Sequence, residues 1–372
     1  MINKLVYAGS FDLLTNGHLW MIESGAKIAE KLIVAVGINP AKKGFMPVED
    51  RVRLLEQVIK STGLENVVVD SFEDRYLVNY AKYIGADTIL RGIRNPIDLE
   101  FEMSMRYINA DLEPSIRSVY LFPPQELLTT SSSMVKGLIG PQGWKSVVKK
   151  YVPRPVFEHL LMKTLVDRFR REWQAAGGKE AYLSADDTFH RLASHYSASN
   201  RHYHTLEHIS ACLDEIDSYP GRTPVTFQFS YNAICLAIFF HDVIYNPQKD
   251  DNESQSALFF KELAEKAGLN QQTIEAVVEM IEATKGHVSH SYAVQLMLDI
   301  DLSILGKSHE EFDEYDRNIR KEYSHVPDIL YNAGRKKFMT EFAKRERLFK
   351  TQFFHDKYEK AAKDNLNRLL NR

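Results

Sequence analysis

An α/β domain with a parallel sheet, followed by an all-α domain, is what the sequence predicts, on three observations. Strand-like and helix-like patterns alternate as far as Phe122. Past Tyr151 helical periodicity runs almost unbroken and no convincing strand recurs. Between the two stands Val152-Pro153-Arg154-Pro155, where two prolines one residue apart disfavour a continuous helix. The expected domains are 1–156 and 157–372, and a chain of 372 residues suits two ordinary cores better than one.

In the first half, β-rich runs lie at 5–8, 32–38, 67–72, 88–90 and 118–122, with helical patterns between them at 49–61 and 76–84. Strand and helix repeated in this way give a parallel sheet covered on both faces. Right-handed crossovers then gather the strand carboxyl ends along one edge. In the second half, helices are expected at 158–175, 185–196, 205–216, 230–240, 253–267, 271–283 and 292–298, with more in the Lys-, Arg- and Glu-rich tail from 313 to 370.

Bulk composition narrows the function classes. A hydrophobic fraction of 44% with 26% charged residues is that of a soluble globular protein. The net charge of -3 supplies no global field for nucleic acid. Cys212 and Cys235 both sit in apolar helical surroundings, which argues against a disulfide scaffold or a cysteine metal site. The longest apolar run, 233–240, is far short of the roughly 20 residues that cross a bilayer. The polar N-terminus is unlike a signal peptide. The expectation is a cytoplasmic enzyme without a nucleic-acid or membrane partner.

Chemistry gathers at the expected strand ends. Gly9-Ser10-Phe11-Asp12 follows the first strand, and Thr15-Asn16-Gly17-His18 opens a helix whose free N–H groups suit phosphate. Asn39-Pro40-Ala41-Lys42-Lys43 follows the second strand, Arg91-Gly92-Ile93-Arg94 the fourth, and Thr130-Ser131-Ser132-Ser133 comes after the fifth. Four strand ends thus deliver cations, hydroxyls and helix starts to one edge, a phosphate-rich pocket.

These motifs, with Asp98, Glu102 and Asn109, resemble those of the nucleotidylyltransferase superfamily, within it the phosphopantetheine adenylyltransferases, over about residues 2–160. The resemblance implies a Rossmann-like domain that joins an adenylyl group from ATP to 4′-phosphopantetheine, giving dephospho-coenzyme A and pyrophosphate with Mg2+, in a homo-oligomer that in this family is a hexamer. It implies catalytic roles for His18, Lys42 and Arg91. ATP would be held by Ser10, Phe11, His18, Gly92, Ile93, Arg94, Glu102 and the stretch Leu127, Leu128, Thr129, Thr130, Ser131, Ser132, Ser133. Phosphopantetheine would meet Ser10, Lys42, Leu77 and Arg91. The sequence departs from the family pattern at Leu13, where proline is usual, and over 72–77, usually an apolar wall for pantetheine. Another cytidylyl or adenylyl transfer is the rival reading, and the 91–94 run and the serine run speak against it.

The helical half carries a second constellation: His202-Tyr203-His204-Thr205-Leu206-Glu207-His208, then His241-Asp242 after an apolar run, then Asp301. His204 and His208, four apart, share a face if the helix has begun by His204. Imidazole with carboxylate suits Mn, Fe, Co, Mg or Zn. Histidine, histidine-aspartate and aspartate on helical patterns resemble the HD superfamily of metal-dependent phosphohydrolases, with parts similar to cyclic-nucleotide phosphodiesterases. That resemblance implies an HD-type fold, His208, His241, Asp242 and Asp301 as ligands of one divalent metal, and His204 as general acid. A second histidine after His241-Asp242 is absent, Val243-Ile244-Tyr245 standing there, which favours one metal over two. Arg201, Glu253, His287, Arg320 and Arg335 are candidate pocket groups, Arg201 and Arg320 for phosphate. Singly, His202, His287 and His325 read as structural or surface groups. The alternative is a non-catalytic nucleotide-sensing module, which a degraded ligand set would favour.

Overall fold

The structure, a computed structural model, describes residues 1–39, 43–141, 143–220 and 228–371. Lys42 therefore lies outside the described residues. The chain divides into two compact units, Met1–Leu160 and Leu161–Arg372.

The first unit is built on five parallel strands, β1 (Ile2–Gly9), β2 (Ala29–Ile38), β3 (Val67–Glu73), β4 (Thr88–Gly92) and β5 (Arg117–Leu121), in the order β3-β2-β1-β4-β5. The order reverses between β1 and β4, where Tyr7 lies opposite Leu90. The crevice outside that reversal is where an open α/β sheet binds its ligand. Leu5, Val6, Leu32, Val34, Ile89 and Leu90 fill the interior. The helices are α1 (Asn16–Ile28), α2 (Val48–Thr62), α3 (Leu77–Tyr83), α4 (Pro96–Leu112), α5 (Ser132–Leu138), α6 (Trp144–Val148) and α7 (Arg154–Ala175). Helix α1 approaches the sheet closely at Gly25, where a Cβ would stand 2.8 Å from Leu90 Cδ2.

Helix α4 behaves unlike the others. It buries only Glu102 among its 17 residues, and Ile97, Phe101 and Tyr107 are 78%, 58% and 69% exposed. An apolar patch of that extent is unusual on a lone subunit.

The second unit is helical throughout its described residues: the greater part of α7, then α8 (Ala185–Tyr196), α9 (Leu206–Ser218), α10 (Gln228–Phe240), α11 (Asn252–Ala267), α12 (Gln271–Ala283), α13 (Tyr292–Asp301), α14 (His309–Glu322), α15 (Asp328–Ala343) and α16 (Gln352–Leu370). Phe169, Trp173, Phe189, Phe239, Phe240 and Phe260 form a buried aromatic core. No described helix is long and apolar enough to cross a membrane.

Helical structure is interrupted between α6 and α7, and α7 begins at Arg154, ahead of the expected 158, with Pro155 in its first turn, where the missing N–H has no intrahelical role.

Candidate functional site

Two sites take shape, one in each unit. In the first, β1 delivers Ser10 to the sheet edge and the chain turns through Phe11, whose φ is 47°, to the start of α1. Thr15 caps that helix and locks its histidine. The Thr15 backbone N–H donates to His18 Nδ1 at 3.0 Å, and the Thr15 hydroxyl lies 2.9 Å from the same nitrogen. A backbone amide can only donate, so Nδ1 is the acceptor and the neutral ring carries its proton on Nε2. Burial, with the charge of Arg94 adding to it, lowers the His18 pKa to about 4. The Phe11 ring meets His18 edge-on, centroids 5.3 Å apart. His18 is thus a fixed, uncharged N–H donor at the switch point.

Around it the predicted residues fall into pairs. Arg91 Nε donates to Glu102 at 2.8 Å, a second guanidinium nitrogen meets the same carboxylate, and NH1 reaches the Ala8 carbonyl at 3.3 Å. Arg94 donates to Asp98 at 2.9 Å. Burial alone would raise Asp98, but the hydrogen bonds and charge of Arg94 outweigh it and hold the carboxyl low. Gly92 ends β4, and Ile93 is buried with its N–H on Leu121. Leu127 closes a short 3-10 turn, followed by exposed Leu128 and Thr129. Thr130 is buried, with its carbonyl and Cβ beside Gly17 and its hydroxyl without a partner among the described residues. Ser131 caps α5 by accepting from Met134 N–H, Ser132 donates to the Leu13 carbonyl at 2.6 Å, and Ser133 is exposed in the first turn. Leu77 packs partly buried against the core around Val78 and Tyr80.

Sequence reasoning placed Asp12 in the first motif but gave it no role. Its buried carboxylate accepts from Phe45 N–H at 2.8 Å and Met46 N–H at 2.9 Å, with Arg51 at 3.6 Å and Lys136 at 3.5 Å. It ties the first loop to the segment after β2 and to α2 and α5. The Asp12–Leu13 peptide bond is cis.

A parallel sheet with a capped helix start and paired arginines at its switch point is the arrangement of a nucleotidyltransferase, and the cytidylyltransferase-like family matches residues 6–138. The phosphopantetheine adenylyltransferase of Chromobacterium violaceum is 51% identical over 160 residues, 43% of this chain and 96% of that protein. That of Neisseria meningitidis serogroup C is 49% identical over 158 residues, 42% of this chain and 92% of its own. Through its first 160 or so residues the chain belongs to the phosphopantetheine adenylyltransferase family. A solved nicotinic acid mononucleotide adenylyltransferase of Plasmodium falciparum, complexed with NaAD, covers 45% of this chain and 98% of its own at 13% identity; its TM-score of 0.36 is too low to argue from.

In the second unit, three helix ends converge. His208 lies in the first turn of α9, His241 and Asp242 in the turn after α10, and Asp301 at the last position of α13. His208 Nε2 is 3.2 Å from His241 Nε2 and 3.2 Å from Asp301 Oδ1, while His241 Nε2 is 3.1 Å from Asp242 Oδ2. These are the edges expected of a coordination shell with bonds of about 2.0–2.2 Å. His241 Nδ1 lies 2.9 Å from the Ile238 carbonyl, an obligate acceptor, so Nδ1 carries the proton and Nε2 the lone pair. The donor set, its spacing and that orientation all fit a divalent cation. Cys212 Sγ lies 3.8 Å from the His208 ring, and ligand atoms of His208, Cys212 and Asp301 all lie within 4.8 Å of one another.

His204 reaches this cluster by another route than helical spacing. Thr205 caps α9, so His204 precedes the helix. Its Nε2 stands 3.9 Å from Asp242 and its Nδ1 2.7 Å from Glu322. Burial would lower its pKa, but the charge of Asp242 and the hydrogen bond to Glu322 raise it. Glu322 went unnoticed in the sequence, where its partner Tyr245 figures only as a residue standing in place of a second histidine; one glutamate in a Lys-, Arg- and Glu-rich tail carries no distinguishing mark.

Not every candidate pocket group is free for substrate. Arg201 is buried and donates to the carbonyls of His204, Asp242 and Val243, so it clamps the two ligand-bearing segments together. Arg320 is engaged by Asp328 and the carbonyls of Tyr323 and Val326, and Arg335 by Asp316. His287 stands nearer the chemistry than its isolated position in the sequence suggests, its Nε2 3.6 Å from Asp301 Oδ2. Glu253 lies in the first turn of α11. His202 offers its backbone N–H to Glu322, and His325 stacks on Tyr323.

Proposed function

We propose that the first unit transfers the adenylyl group of ATP to the phosphate of 4′-phosphopantetheine, releasing pyrophosphate and forming dephospho-coenzyme A in the cytoplasm. The observation that carries this is the Thr15 lock on His18 at the β1/β4 switch point. The acceptor phosphate attacks the α-phosphorus in line, so catalysis is positioning and charge stabilisation without a covalent intermediate. His18 Nε2–H donates to the α-phosphoryl oxygens as their charge grows. Lys42 and Arg91 hold the acceptor phosphate, while Arg94, the 127–133 stretch and the α5 start hold ATP. Mg2+ would shield the pyrophosphate leaving group. The exposed apolar face of α4 supports a homo-oligomer, a hexamer by family resemblance. Pyrophosphate release from ATP and 4′-phosphopantetheine tests this reading, and a His18→Ala protein of unchanged rate would overturn it.

For the second unit the reading is an HD-type metal-dependent phosphohydrolase. His208, His241, Asp242 and Asp301 would hold one divalent cation, Mn, Fe, Co, Mg or Zn, which supplies Lewis acidity to a phosphoester and to the attacking water. His204, aimed at the cluster by its Nε2, donates a proton to the leaving oxygen. Elemental analysis of the full chain tests it. A protein that binds none of these metals would leave a nucleotide-sensing module as the better account.

A further inference from the structure

We propose that Glu322 is the positioning residue of the second site: it sets the tautomer and aim of His204 and holds the turn that carries it. The inference rests on the phosphohydrolase reading for its catalytic meaning, while the positioning stands on geometry alone. Glu322 is the last residue of α14 and is buried, with 3% of its surface exposed. One carboxylate oxygen accepts three successive backbone N–H groups, those of His202 and Tyr203 at 2.7 Å and of His204 at 3.0 Å. The other faces His204 Nδ1 at 2.7 Å and accepts the Tyr245 hydroxyl at 3.0 Å.

This division of labour fixes chemistry. An ionised carboxylate has only acceptors, so the nitrogen facing it must carry a proton. His204 therefore holds Nδ1–H toward Glu322 and turns Nε2 toward Asp242, 3.9 Å away. Tyr245 lies over the imidazole with centroids 4.2 Å apart and prevents the ring from rotating away. No helical hydrogen bond does this work, because His204 precedes the cap of α9.

Glu322→Gln separates the two duties. The three backbone N–H groups claim the amide oxygen, which leaves the NH2 facing His204 Nδ1. That nitrogen must then accept, and the neutral ring moves its proton to Nε2. Solid-state 15N spectra of the full chain, histidine-labelled and zinc-loaded, should show the His204 Nδ1 signal change from protonated to unprotonated, with His204→Ala providing the assignment. Metal content should be unchanged. Phosphate release from p-nitrophenyl phosphate should fall by at least about a hundredfold, as when an orienting carboxylate is lost from a histidine. An unmoved His204 signal overturns the proposal. Wild-type protein that releases no phosphate defeats the hydrolase reading alone, since the spectra still decide the positioning. If Glu322→Gln does not fold, Glu322→Asp keeps the charge but withdraws it by one methylene; its His204 signal must shift with metal retained, and an unmoved signal again overturns the proposal.

Discussion

His18 and His204 are the same side chain given opposite neighbours at Nδ1. His18 faces a backbone N–H, so it accepts there and presents a neutral N–H donor from Nε2. His204 faces a carboxylate, so it donates there, and the adjoining negative charges favour the imidazolium. Phosphoryl transfer without proton exchange needs the first arrangement; expulsion of an alkoxide needs the second. The tautomer of each ring follows from the one group that faces Nδ1, a neighbour three residues away for His18 and a distant helix end for His204, more than from burial.

The strongest way to break this contrast is to remove what only one site requires. Asp242→Ala should lose the divalent metal, phosphate release and any metal-dependent thermal shift together. A ligand bound only by the native state stabilises it by about 2.7 kcal/mol at a hundredfold excess over Kd. His204→Ala should instead retain the metal while hydrolysis drops by roughly 10²–10⁴-fold. Elemental analysis beside phosphate release checks both, and joint loss of metal in His204→Ala would place that residue among the ligands.

At the first site, His18→Ala should lower kcat for pyrophosphate release by about 10²–10³-fold while ATP binding stays within a few-fold, since the donated bond strengthens as charge develops. Equal losses in binding and turnover would make His18 a ground-state contact.

Arg91→Ala should weaken the acceptor more than ATP, by on the order of 1.5–3 kcal/mol for a charged hydrogen bond. The Glu102 pairing sharpens that test, because the substitution also strands a buried carboxylate. Adding Glu102→Gln should recover stability but not acceptor binding in calorimetry. Recovery of both would assign Arg91 to structure.

The smallest effect is a flat line. With its pKa lowered to about 4 by burial and by Arg94, His18 stays neutral across the range in which a free histidine titrates, so kcat should show no limb near 6.5 from this residue. The unfolded chain, however, binds that proton below about 6.5 while the native state refuses it until about 4. Stability therefore falls as pH drops through that window, and His18→Gln should soften the fall in thermal unfolding.

Much of this was legible beforehand, and the failures have physical reasons. The five strands and the gathering of Gly9, Arg91 and Ser131 at one edge follow from alternation and loop chemistry, which are local. Helix α4 was obscured because Ile97, Leu99, Phe101 and Met103 alternate like a strand; only Asn95, which caps it, and Pro96 mark the helix. Pro153 and Pro155 stand where α6 has ended and α7 begins, and the helix starts a few residues earlier than expected because proline is tolerated in a first turn. The four clustered groups His208, His241, Asp242 and Asp301 are each marked by an adjacent motif. Glu322 is not, since it meets His204 only after five intervening helices, α9 to α13, have folded back.

The Thr15 cap has one more implication. The hydroxyl and amide that begin α1 are also what tell the imidazole which nitrogen to protonate. The aim of His18 is inherited from the first turn of a helix, so a chain in which that turn is frayed loses the fixed N–H donor, whatever remains of its pocket. A replacement at Thr15 without a hydroxyl keeps the backbone donor to Nδ1 but gives up the helix cap and the second contact to the imidazole together.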